Sequence, residues 1–321
     1  MSGTGTMAGE GRGSLAWRWM LLAPLGVIWV GAYYVGYGAA GVDAGTWRFW
    51  AADLNPLPWL AALVALRAYL ARHDRYRAGG GDARAWSAGH VWSFVSGLLL
   101  TLALWESPLN DFVGRSMTLY TVKLMGEFEF AAPLIVLGIP FSLVDSVRVK
   151  GPWWSILRIL HRPAVTTVAL AIILVLWDMT DQMALGLHNA LVFGVLPGVY
   201  LALGMVVWMQ SLRALPAFPN LQNHLHKGLY VWAMEFAMMA MGTMWFWSAM
   251  KGMNPSIGTP LLWGMSRVAD IHIAGAVMTG LSLPTMCLVS WHFWQWVSGV
   301  VGVSESEEYG DYSRPAGRQE L

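Results

Sequence analysis

Runs of about 20 apolar residues recur along the whole of this 321-residue chain, and that is the length a helix needs to cross a bilayer. Eight such spans are read, at about 20–40, 57–72, 88–106, 117–142, 164–181, 188–210, 228–250 and 269–297. The second is short for a crossing, and the last is long enough to tilt or to project. Only 12% of the residues are charged, against about a quarter in soluble domains. The ten-residue alternating pattern of a membrane β-barrel is absent. The expectation is an all-α polytopic transmembrane helix bundle.

Basic residues orient the bundle. Arg12 and Arg18 precede span 1, and Arg72, Arg75, Arg77 and Arg84 follow span 2. Arg148, Lys150, Arg158 and Arg162 follow span 4, Arg213 and Lys227 follow span 6, and Arg314 and Arg318 lie in the C-terminal tail. With eight spans all of these share one side, so both termini are expected to be cytoplasmic. Residues 1–19 read as a flexible Gly/Ser-rich tail, 20–300 as one transmembrane domain, and 301–321 as a disordered acidic tail. No small-residue cleavage site closes the first apolar run convincingly, so it reads as a retained helix.

The net charge of +1 gives no reason to expect nucleic acid, and a single cysteine, Cys287, allows no disulfide framework. That cysteine reads as a small buried hydrophobe. The 19 methionines read first as adaptable packing and only second as soft-metal ligands. No Walker motif, strand-borne GxGxxG, GxSxG or HExxH is present, so an enzyme is not expected.

The fourth span, YTVKLMGEFEFAAPLIVLG, breaks the apolar rule with Lys123, Glu127 and Glu129. Tyr120, Lys123 and Glu127 share one helical face, and Lys123 and Glu127 are spaced for an ion pair. Glu129 lies about 200° from Glu127 on an α-helix and must face another helix. Glu235, in span 7, is a further intramembrane acid with no obvious partner. Such residues read either as a buried salt bridge or as a site facing the bundle interior. A proton or ion relay through Lys123, Glu127 and Glu235 is a third reading.

Other polar groups gather at the outer helix ends: Asp178 and Asp181, His188, Asp270 and His272. Asp270 is placed to cap its own helix. With nearby Met179 and Met183, this end offers copper-type donors. His90 and His292 are a conceivable haem pair at equal depth near the cytoplasmic side, and His224 and His226 form a loop His-x-His.

Taken in order, several stretches resemble the CtaG-type family of cytochrome c oxidase assembly factors. They are LPWLAALVALRAYLARH and its basic loop, FVSGLLLTLALWESPLNDF, AAPLIVLGIP, LWDMTDQMAL and VADIHIAGAVMTG. The resemblance covers 57 to about 297 and leaves span 1 as an addition to a seven-helix pattern. It implies a bacterial inner-membrane protein that works with a haem–copper oxidase or another respiratory complex. It also implies copper handling at the outer face. The chain departs from the family pattern, however. The family's His-Met-x-Gln-His histidines fall at Tyr120 and Leu124, and its Trp-His pair is Trp177-Asp178. Its Asp-Gln-Gln-x-Ala-Gly becomes Asp270-Ile271-His272-Ile273-Ala274-Gly275. A rearranged donor set of Asp178, His188, Asp270 and His272 is one reading. Retention of the fold with an ion pair in place of the metal is another. A structural or electron-transfer subunit holding haem b or quinone is the alternative from a different class.

Overall fold

The computed structural model describes residues 56–106, 113, 116–140, 155, 158–174, 190–212, 223–247 and 265–301. The first expected span, both tails, Asp178 and His188 lie outside the described residues. All regular structure within them is helical. The elements are α1 (Pro56–Ala78), α2 (Ala88–Glu106), α3 (Met117–Met125), α4 (Ala132–Gly138), α5 (Pro163–Ile173), α6 (Ala190–Leu212), α7 (His224–Trp247), α8 (Arg267–Leu281) and α9 (Leu283–Val301). Among the described residues two stretches, Ala88–Glu106 and Arg267–Val300, are long and apolar enough to cross a membrane; Pro163–Ile173 and Leu196–Leu212 are shorter apolar helices. The described residues are thus all-α, and two of their stretches have the length and composition of membrane spans.

Two expected spans change shape. The short second span continues as helix to Ala78, carrying Arg75 and Arg77 in its last turn, where cations suit the free carbonyls. It stops at Gly79-Gly80, where Gly80 takes φ +79°, a left-handed conformation that closes helices. The long last span is two helices, α8 and α9, both packed along α7. The break falls at Ser282, two residues before Pro284. Pro284 lacks an N–H, and its ring crowds the carbonyl four residues back, which is enough to interrupt the ladder. Cys287, expected inside, is exposed on α9. The same stretch of α9 buries Thr285 and Val289 instead.

The fourth span is likewise not one regular helix. A π-helical segment, Gly126–Ala131, separates α3 from α4. The Ala132 N–H reaches back five residues to the Glu127 carbonyl. Pro133 supplies the cause, because it cannot donate to Glu129 and its ring pushes that carbonyl aside. Of the loosened carbonyls, that of Phe128 accepts the Trp208 indole N–H at 3.0 Å. The wide turn is received by glycines on both flanks. A Cβ on Gly97 of α2 would lie 2.8 Å from the Ile135 amide nitrogen and 3.0 Å from the Ala131 carbonyl. One on Gly204 of α6 would lie 3.1 Å from the Phe128 carbonyl. Gly97→Leu therefore has to drive α2 away from the π segment. Overpacking of this kind costs about 1–3 kcal/mol or more, and backbone obstructs the added atoms here. The expected result is a lower thermal midpoint and a reduced yield of monodisperse protein in detergent.

Candidate functional site

The π segment sends its two acids in different directions. Glu127, 0% exposed, faces α2, where Thr101 and Trp105 flank its carboxyl. Lys123 is buried beside it and interacts electrostatically with both Glu127 and Glu106, the last residue of α2. Neither oxygen of Glu127 closes a hydrogen bond, so its attraction to Lys123 acts through space. Glu106 belongs to the WESPL stretch and was not singled out from the sequence. Its signal was an acid at the end of an otherwise apolar span. Tyr120, on the same face of α3, sits in the main apolar core with Met117, Leu124 and Phe128.

Glu129 turns to the opposite side. Its carboxyl accepts the Thr285 hydroxyl of α9 and meets the carboxyl of Glu235 on α7. Both acids are 1% exposed. Glu235, which had no evident partner in the sequence, thus has one of like charge.

Asp270 holds two helices together. Ser266, not Asp270, caps α8, accepting from the Ala269 N–H at 3.2 Å. Asp270 lies one turn further in and caps α3 instead. Its oxygens accept from the Met117 N–H at 2.5 Å, the Thr118 N–H at 3.2 Å, the Thr118 hydroxyl at 2.7 Å and the Ser116 hydroxyl at 2.9 Å. Ser116 in turn accepts the Leu119 N–H at 3.3 Å. The first three amides of α3, which no helical carbonyl can reach, are all satisfied this way. A carboxylate at a helix N-terminus also suits the helix dipole.

These bonds bear on metal binding. Asp270 is 1% exposed, with both oxygens committed to α3. His272 points elsewhere, half-buried against Phe246 with ring centroids 5.6 Å apart. Among the described residues no group of three His, Cys, Asp or Glu side chains is arranged to hold a metal ion. Asp270 and His272 therefore do not fit a shared copper centre.

A model of the cytochrome c oxidase caa3 assembly factor family matches residues 67–298, well over half of the chain. The chain belongs to this family. No curated protein and no solved structure matches it significantly. Within the family frame, Tyr120 and Leu124, where the typical histidines would fall, are both buried in the apolar core. Among the described histidines, His224 and His292 meet, their Nδ1 atoms 3.1 Å apart. His224 begins α7 rather than lying in a loop. Of the two histidines considered as a haem pair, His292 meets His224, and His90 meets the Ser87 hydroxyl through its Nδ1 at 3.0 Å.

Proposed function

We propose that this chain is a multi-pass factor of the bacterial inner membrane that assists assembly of a haem–copper oxidase, with both termini in the cytoplasm. The family match over residues 67–298 carries the reading, and the Asp270 cap supports it by giving the retained aspartate a physical task. In this reading Asp270 keeps the outer ends of α3 and α8 in register. Copper handling is then a matter for outer-face donors other than Asp270, namely His272 with Asp178 and His188.

The test uses a host strain lacking its own factor of this family. Expression of the full chain should restore the oxidase, read as its reduced-minus-oxidised spectrum and its copper content per haem. An unchanged oxidase level with and without the chain overturns the assembly function. For copper, the purified protein is titrated with Cu(I) against a chromophoric chelator. His272→Ala and His188→Ala should weaken binding at least tenfold. No binding above background in the wild type removes the copper part and leaves the assembly part standing.

A further inference from the structure

We propose that Glu129 and Glu235 form a proton-binding site inside the bundle, holding one proton between their two carboxyl groups. The site is built from three elements. Glu129 comes from the π segment, Glu235 from the middle of α7, and Thr285 from the first turn of α9 after the Pro284 break. Two interruptions of regular helix, one beside Pro133 and one beside Pro284, thus meet at the same pair of acids.

The hydrogen bonds present leave room for a bound proton. Thr285 satisfies only one oxygen, Oε2 of Glu129. Oε1 of Glu129 and both oxygens of Glu235 are buried without a hydrogen-bond partner. The Ser282 hydroxyl, the other polar group near Glu235, is spent on the Met278 carbonyl at 2.9 Å. An unpaired buried carboxylate is costly, and two in contact are costlier, so such pairs take up a positive charge.

The charges on the surrounding helices are committed elsewhere. From α3 and α2, Lys123 interacts with Glu127 and Glu106. From α8, Asp270 caps α3. From α9, His292 meets His224 of α7. On α6 the buried polar side chain Gln210 donates to Thr166 of α5 at 3.1 Å. Among the described residues, then, no cation acts on Glu129 or Glu235, and a proton is the positive charge we assign to the pair. A metal cation such as Ca²⁺ takes six to eight oxygens, and Mg²⁺ six. The four carboxyl oxygens and the Thr285 hydroxyl make five, short of either shell, whereas a proton needs only two oxygens.

Infrared spectroscopy of the full chain in nanodiscs at pH 7 tests the site. The wild type should show one protonated-carboxyl C=O band per chain. That band should shift in Glu129→Gln and in Glu235→Gln, disappear in the double variant, and persist in Glu127→Gln. Absence of the band, or its survival in the double variant, overturns the proposal. So does a band that appears only after metal cations are removed, since a metal would then be the resident charge. If the variants do not fold, the wild type still decides. A membrane-permeant carbodiimide, which adds to protonated carboxyls, should label Glu129 or Glu235 once per chain, read by mass spectrometry. Labelling of neither residue overturns the site.

Discussion

Asp270→Ala should lower the stability of the protein by about 3–5 kcal/mol without altering copper affinity per folded molecule. The estimate follows from what the substitution strands. Met117 and Thr118 lose the acceptor for their backbone N–H groups, and Ser116 and Thr118 lose it for their hydroxyls. Each buried donor left unsatisfied costs about 1–3 kcal/mol, and hydrogen bonds to a charged group are worth more than neutral ones. The α3 and α8 ends lose their polar link at the same time, leaving the apolar packing between them. For a domain of this size, such a loss lowers the melting midpoint by on the order of 10 °C. Asp270→Asn should fall between, because its amide keeps one acceptor oxygen but turns an N–H₂ towards donors. Melting curves in detergent, paired with Cu(I) titration of the surviving folded fraction, give the answer. A midpoint unchanged in the alanine variant, with copper affinity lost, would restore Asp270 as a ligand and remove its role as a cap.

The contrast between Asp270 and Glu129 shows what a single sequence carries here. Apolar runs gave the all-helical architecture, because a membrane-length hydrophobic stretch has few other folds to adopt. They also marked Lys123, Glu127, Glu129, Glu235 and Asp270 as anomalies worth locating. What they left open was partnership. Asp270 stood where a self-capping residue would stand, yet Ser266 does that work and Asp270 serves a helix more than 150 positions away. That choice depends on how α8 packs against α3, which periodicity within one helix does not encode. The π segment was legible in principle, since Pro133 follows Glu129 by the four residues at which a proline disrupts its helix. Its consequence, two acids delivered to different neighbours, required the positions of α2, α7 and α9. The family resemblance drew attention to missing histidines at Tyr120 and Leu124. Their burial among methionines and aromatic rings shows those places filled by packing groups. The meeting of His224 with His292 was hidden for a simpler reason. The sequence reading left His224 in a loop, whereas it starts α7 and faces α9.

Lys123→Met should be among the most damaging single substitutions in the bundle, and its rescue should reveal what the cluster is for. Lys123 is 5% exposed, Glu127 is 0% and Glu106 is 5%. One cation thus sits against two buried acids. Removing one member of such a group leaves uncompensated charge, which costs about 3–5 kcal/mol. Replacing the whole group by neutral residues of similar shape is often nearly neutral, because the cost of dehydrating the ions disappears along with their attraction. The expected series is therefore non-additive. Lys123→Met melts much earlier than wild type, Glu127→Gln melts only slightly earlier because Glu106 still faces the lysine, and the triple variant Lys123→Met/Glu127→Gln/Glu106→Gln recovers most of the loss. Additive effects within about 0.5 kcal/mol would show that the three groups are not coupled. The recovered triple variant then separates structure from function. If it restores oxidase assembly as the wild type does, Lys123 and its acids are a packing solution. If it melts like wild type and leaves the oxidase unassembled, their charge acts on the client itself.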